Sequence, residues 1–320
     1  MYFIAFFISL FIVLVTIPPL HKLAVKIDFV DKPTQRKIHE VSVPLLASIS
    51  IFLGFFLTIL IFKHHIKDND LLGIFIGSFL ILFIGLIDDW SKTRGREFPA
   101  LPKAAVQIIA AIVIYYSGIV FTGFTNPLTG DFILLPVYLQ FFLTILWIFG
   151  VTTVINFMDG LDGLSGGITT ISAITLFIVA VYKGQQEAAL LSIVLLGTTL
   201  GYLRYNKPPA KIYMGDAGAT FLGFMLAIIS LIGPFKQSTL LSMSIPIMTL
   251  CVPIFDNIYV IIKRLIDGNP IYKADRSQIH YRLISKGLDS KQSTIFIYLI
   301  STCFSLLAII FLLIDSISNS

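Results

Sequence analysis

The chain has 320 residues, 56% of them hydrophobic and 13% charged, with 23 Lys and Arg against 18 Asp and Glu for a net charge of +5. A soluble domain carries about 45–50% apolar and about 25% charged residues, so this balance excludes a water-soluble globule, a disordered chain and a small disulfide scaffold. It describes an all-α, polytopic integral membrane protein, a helical bundle forming a single domain over residues 1–320.

Apolar runs predict about ten membrane spans, near 2–20, 43–62, 71–87, 104–122, 136–155, 164–182, 188–203, 217–233, 239–262 and 294–314. The runs are continuous rather than alternating with period two, which argues against a β-barrel. The opening run has no basic start and no cleavage site, so it is expected to stay as a span. Cys251 and Cys303 lie in apolar runs without metal-ligand spacing and are expected to be buried thiols. Ten spans put both termini on one side of the membrane. The loops facing the other side hold 19 of the 23 Lys and Arg and 13 of the 18 acids. The positive-inside rule makes that side cytoplasmic and places both termini outside, so function is sought on the cytoplasmic face.

Five segments on that face carry candidate chemistry. The first loop holds Asp31-Lys32-Pro33-Thr34-Gln35-Arg36-Lys37-Ile38-His39, a weak signal alone. Span three ends in Gly85-Leu86-Ile87-Asp88-Asp89-Trp90. Two adjacent carboxylates repel each other, and an ionised Asp inside a bilayer costs at least about 2.5–3.5 kcal/mol, so a divalent cation or a basic cluster is needed beside them. The simpler alternative is a solvated helix end. Spans five and six are joined by Asn156-Phe157-Met158-Asp159-Gly160-Leu161-Asp162-Gly163, a loop free of Lys and Arg. Asp159 and Asp162 are three apart and would share a face of a helical turn. Carboxylates among glycines suit a hard cation with oxygen ligands, against the alternative of a polar turn.

Asn206-Lys207-Pro208-Pro209-Ala210-Lys211-Ile212-Tyr213-Met214-Gly215-Asp216 leads into span eight. Asp216 at a helix start fits an N-cap, and the same start with Lys207 and Lys211 fits phosphate oxygens. No Walker-type phosphate loop occurs. The long basic stretch from Lys263 to Lys291 centres on Asp275-Arg276-Ser277-Gln278-Ile279-His280-Tyr281-Arg282-Leu283. Its mixture of Arg, His, aromatic and amide groups suits a nucleotide diphosphate, and its charge alone also suits anionic lipid headgroups. His64 and His65 are expected to be solvated and His21 to lie at headgroup level. Acids able to hold a divalent metal, beside cations able to hold phosphates, make the general arrangement for phosphoryl transfer.

In this order, the acidic pair, Lys103 with Gln107, the 156–167 segment, the 206–223 segment and the 275–283 loop resemble the polyprenyl-phosphate N-acetylhexosamine-1-phosphate transferases, over about residues 28–292. The resemblance implies attack of an undecaprenyl phosphate oxygen on the β-phosphorus of a UDP-N-acetylhexosamine, most closely UDP-N-acetylglucosamine, with UMP released. It implies magnesium, with manganese as a substitute, and a bacterial cytoplasmic membrane location. By motif, Asp88, Asp89 and Lys103 would be catalytic. Asp216 and Asp159 would ligate the metal. Asn156, Asp162, His280, Arg282, Arg36, Lys37 and His39 would bind substrate. The partners implied are the two substrates and membrane lipid, with a homodimer allowed and no nucleic acid. The sequence departs from the pattern at Gln278 and Tyr281, where two histidines are usual, and after His39, where Ser42, Ala47 and Ser48 interrupt a proline- and glycine-rich segment. These departures bear on which sugar is used. Two other readings compete: a multi-span transporter, which would show flux without UMP release, and a catalytically inactive member of the family acting as a scaffold.

Overall fold

The computed structural model of the protein describes residues 1–32, 42–126, 129–237, 240–270 and 277–318. Helix α1 (Tyr2–Lys26) is followed by the short antiparallel strands β1 (Val30–Asp31) and β2 (Val43–Pro44) and by α2 (Ala47–Ile61). Next come α3 (Asp68–Thr93) and α4 (Ala100–Ser117), then a hairpin of β3 (Gly123–Thr125) and β4 (Phe132–Leu134) in which Gly123 pairs with Leu134. The chain continues through α5 (Val137–Phe157), α6 (Leu164–Tyr182), α7 (Gln186–Asn206) and α8 (Gly215–Ile232), and ends with α9 (Leu240–Thr249), α10 (Cys251–Ile266), α11 (Ile279–Ser285) and α12 (Ser290–Ser318).

Eight of these helices (α1, α3 to α8 and α12) are long and apolar enough to cross a membrane. The pair α9 and α10 makes a ninth candidate, bent by 70° at its break. Two of the ten expected spans therefore differ from a plain helix. The run at 43–62 folds as α2, whose 15 residues reach about 22 Å, short of a hydrocarbon core of about 30 Å. The run at 239–262 is broken around Leu250, and Pro253 explains why. It has no N–H to give the Thr249 carbonyl four residues back, and that carbonyl instead accepts the Ser172 hydroxyl from α6 at 3.4 Å.

Helix α8 is the axis of the bundle. Its sequence is apolar all round, and it packs against α2, α3, α5, α6 and α7. Phe221 of α8 meets Phe52, Phe55 and Phe56 of α2 with ring centroids 5.7, 5.8 and 6.3 Å apart. On the other side, a Cβ on Gly85 of α3 would overlap the backbone of Ala217, so only glycine permits this close crossing. At the periphery, Phe3, Phe7 and Phe11 of α1 point outward, as helix faces against lipid do. Cys251 is buried as expected, but Cys303 is exposed. It lies on the outward side of α12, because an apolar run in a membrane protein need not face protein.

Candidate active site

Three connections come together at one end of the bundle: α3 to α4, α5 to α6, and α7 to α8. Helix α3 runs on to Thr93, beyond the expected span, and so carries Asp88, Asp89 and Lys92 on its last two turns. Asp88 and Lys92 are four apart and share a face. Lys103 of α4 and Asp216 of α8 complete a cluster of two carboxylates and two ammonium groups. Asp88 Oδ2 is 2.8 Å from Lys103 Nζ and 3.3 Å from Lys92 Nζ. Asp216 Oδ1 is 2.8 Å from Lys92 Nζ, and its Oδ2 accepts a hydrogen bond from Lys103. The Asp88 side chain is 5% exposed, Lys103 17%, Asp216 24% and Lys92 40%, so the cluster opens outward on the Lys92 side. Asp89 is turned away from it and accepts the Asp216 and Ala217 N–H groups at 2.8 and 3.1 Å.

The acidic connection between α5 and α6 is not helical, so Asp159 and Asp162 do not share a helical face. Gly163, at φ +78, starts α6 from a left-handed conformation, and the two acids have separate partners. Asp159 accepts the Ser165 hydroxyl at 2.5 Å, and burial pushes its carboxyl up to about 7. Asp162 accepts the Ala210 N–H at 2.9 Å and the Tyr213 hydroxyl at 3.0 Å. Burial, and then the Asp162 charge, raise the Tyr213 hydroxyl above its usual range. Further bonds stitch this connection to its neighbours. Gly163 N–H donates to Asn206 Oδ1 at 2.9 Å, while Asn206 Nδ2 donates to the Ile212 carbonyl at 3.0 Å. Tyr298 of α12 donates its hydroxyl to the Gly163 carbonyl at 2.5 Å. The backbone of the acidic turn is thereby fixed on both sides.

The third part lies where α11 docks on α10. Asp256 accepts the Ile279 N–H and the Arg282 guanidinium, both at 2.8 Å, and Arg282 stacks over the Tyr259 ring at 4.0 Å. This clamp seats His280 fully buried, with neither ring nitrogen hydrogen-bonded among the described residues. Burial lowers its pKa to about 4, so the ring is neutral at neutral pH. The imidazole lies against Gly160 so closely that a Cβ there would overlap Nε2. The buried oxygens Asn156 Oδ1, Asn257 Oδ1 and Gln278 Oε1 also have no hydrogen-bond partner among the described residues, leaving acceptors for a ligand.

Of the expected site residues, Asp88, Lys103 and Asp216 share one cluster. Asp89 sits behind it, Asp159 and Asp162 are held in the adjoining turn, and His280 packs on that same turn. Arg282 serves the α10–α11 clamp. Arg36, Lys37 and His39 lie outside the described residues. Lys92, Asp256 and Tyr298 are candidate site residues that the sequence reading did not single out, and Asn206 and Tyr213, read there only as part of the 206–216 segment, take partners in the acidic turn. Lys92 was legible as the i+4 partner of Asp88, and Asp256 as an acid inside an apolar run. Tyr298 gave no signal.

Among the described residues no three His, Cys, Asp or Glu converge as a ready cage for a metal ion. Asp88 and Asp216 do converge, on ammonium groups placed where a cation would sit. Two carboxylates fit magnesium, which takes one or two from protein and fills its remaining positions with phosphate oxygens and water.

Residues 71–234 match glycosyl transferase family 4. The chain is 39% identical over 307 residues to a protein of Bacillus subtilis described as a probable undecaprenyl-phosphate N-acetylglucosaminyl 1-phosphate transferase, covering 96% of this chain and 84% of that one. It is 30% identical over 305 residues to the decaprenyl-phosphate N-acetylglucosaminephosphotransferase of Mycobacterium leprae, covering 87% and 75%. It is 27% identical over 282 residues to the undecaprenyl-phosphate alpha-N-acetylglucosaminyl 1-phosphate transferase of Escherichia coli, again covering 87% and 75%.

Proposed function

The chain belongs to glycosyl transferase family 4, and from that premise we propose that it moves N-acetylglucosamine-1-phosphate from UDP-N-acetylglucosamine to undecaprenyl phosphate at the cytoplasmic membrane face, releasing UMP and initiating a cell-envelope glycan. A phosphate oxygen of the lipid attacks the β-phosphorus of the donor. The bond from that phosphorus to the oxygen bridging it to the α-phosphorus breaks, and UMP leaves with that oxygen. One phosphoanhydride is broken and one is made, so the step is close to balanced and reversible.

The observation that carries this reading is the Asp88–Lys103–Asp216–Lys92 cluster beside a turn of fixed acidic residues. Phosphoryl transfer asks a protein mainly for positioning and charge neutralisation. Lys103 and Lys92 supply two cations for phosphate oxygens. Asp88, in contact with both ammonium groups, orients the lipid phosphate and accepts its proton when it arrives protonated. Asp216 and Asp88 would hold magnesium, which would supply charge neutralisation for the diphosphate; Asp159 stands in the adjoining turn. The neutral, buried His280 and the unpartnered Asn156, Asn257 and Gln278 oxygens are polar contacts for the uncharged parts of the donor. The charge bias of the loops supports the cytoplasmic side.

The test is UMP release or exchange by purified protein with undecaprenyl phosphate, magnesium and a panel of UDP-N-acetylhexosamines. Release from UDP-N-acetylglucosamine that needs magnesium and is lost in Asp216→Asn is the expected result. Folded protein that releases UMP from no donor in the panel would overturn the reading.

A further inference from the structure

The adjacent acids Asp88 and Asp89 differ in what they face. Neighbouring side chains on a helix point about 100° apart. Here that rotation aims Asp88 at the two lysines and Asp89 at the first turn of α8. Both Asp89 oxygens are occupied, Oδ1 by the Asp216 N–H at 2.8 Å and Oδ2 by the Ala217 N–H at 3.1 Å. The residue is 1% exposed, which keeps it from a phosphate arriving by water or along the membrane.

The first turn of a helix leaves its N–H groups without partners inside the helix. Helix α8 follows Met214 and has no side-chain cap of its own. Asp216 does not cap it either, because its carboxylate is held by Lys92 and Lys103. The cap comes from α3 instead. Gly85 lets α3 approach the Ala217 backbone, and at Gly215, held at φ +64, a Cβ would overlap the Asp89 carboxylate. With these two glycines in place, the Asp89 carboxylate reaches the helix start.

We propose that Asp89 is a positioning residue: it fixes the first turn of α8, and through that turn the Asp216 carboxylate, while Asp88 alone of the pair faces the reacting phosphates. This inference rests on the transferase reading above. Its test compares Asp89→Asn, Asp89→Ala and Asp88→Asn with the wild type on two readouts.

The first readout needs no turnover. Amide hydrogen exchange over residues 215–219 should quicken by about tenfold or more in Asp89→Ala and stay as in the wild type in Asp88→Asn. The second is kcat and KM for UDP-N-acetylglucosamine, per folded molecule, across pH. Asparagine keeps one acceptor for the helix N–H groups and alanine keeps none. Positioning therefore predicts kcat lowered about tenfold in Asp89→Asn and about a hundredfold in Asp89→Ala, with KM and the shape of the pH profile kept. Equal inactivity of the two variants with loss of the acidic limb would make Asp89 a proton acceptor and overturn the proposal, as would unchanged exchange at 215–219. An inactive wild type would instead defeat the transferase reading, and the exchange comparison would still decide the role of Asp89 as a cap.

Discussion

Replacing Lys103 by methionine tests how the charged cluster is balanced. Asp88, Asp216, Lys92 and Lys103 together carry no net charge, and Lys103 is the inner cation, 17% exposed against 40% for Lys92. Removing one partner of a buried ion pair costs about 3–5 kcal/mol. Two features reduce that figure here: Lys92 remains 2.8 Å from Asp216 and 3.3 Å from Asp88, and the Asp216 side chain is 24% exposed. The expected loss of stability without divalent cations is then about 2 kcal/mol. The same substitution leaves two carboxylates sharing one ammonium group, so the cluster gains a net negative charge and a stronger attraction for a divalent cation. If manganese binds tenfold more tightly, saturation returns about 1.4 kcal/mol relative to the wild type, most of what was lost. Thermal unfolding in detergent, with chelator and then with manganese, reads both effects. Lys103→Met should melt lower than the wild type in chelator and gain more from manganese. Lys92→Met, at the solvent side, should lose less. Turnover of Lys103→Met should fall about a hundredfold, the usual effect of removing one donor from a developing charge. Equal melting in chelator, or equal gains from manganese, would show that the carboxylates are balanced by something other than Lys103.

Three further outcomes follow from the surrounding geometry. Tyr298→Phe removes the hydroxyl that donates to the Gly163 carbonyl; that carbonyl keeps the Gly167 N–H at 2.8 Å, so the cost is that of one net hydrogen bond, about 0.5–1.5 kcal/mol, and the expected result is a raised KM for the nucleotide sugar with folding kept, measured by steady-state kinetics. Gly160→Ala sets a Cβ into the His280 ring; the displaced imidazole should raise the same KM by about tenfold or more, and an unchanged KM would separate His280 from the donor site. His280 gives a pH signature: its folded pKa, near 4, lies below its ordinary 6.5, so the unfolded chain binds more protons between those values. Stability is then complete above about pH 6.5 and declines by about 3 kcal/mol as pH falls to about 4, and in melts across pH His280→Phe should lack that part of the slope.

Much of this arrangement was legible in the residues because the bilayer imposes it. Long apolar runs must be helices there, and an acid beside such a run must find a cation or water. That reasoning places Asp88, Asp216 and the acidic turn at one end of the bundle. It does not divide Asp88 from Asp89, since the division depends on how α3 is rotated against α8. That rotation is set by the Gly85–Ala217 crossing, a contact between segments more than a hundred residues apart. Lys92 counts as loop charge until α3 is seen to extend to Thr93. Asp159 and Asp162 read as one face only if the turn is helical, and Gly163 at φ +78 makes it otherwise. Pro253 was visible, yet whether a proline kinks a span or breaks it depends on what takes over the freed carbonyl, here Ser172.

The neutrality of the cluster also bears on how substrates enter. Two carboxylates and two ammonium groups cancel, which suits the end of a bundle where an uncompensated charge is costly. On the proposed reading, a lipid phosphate arriving alone would upset that balance, and so would a divalent cation arriving alone. Arriving together they would nearly cancel, and each would remove a penalty the other faces. Lys92 and Lys103 would then turn from carboxylate to phosphate oxygens, and Asp88 and Asp216 would hold the cation in place of the ammonium groups, with the protein's own groups keeping their places. A site already paired in this way needs little rearrangement to hold a diphosphate. On this reading its rigidity would come from contacts made within the protein: Asp89 on the first turn of α8, Asn206 and Tyr298 on either side of Gly163, and Asp256 under α11.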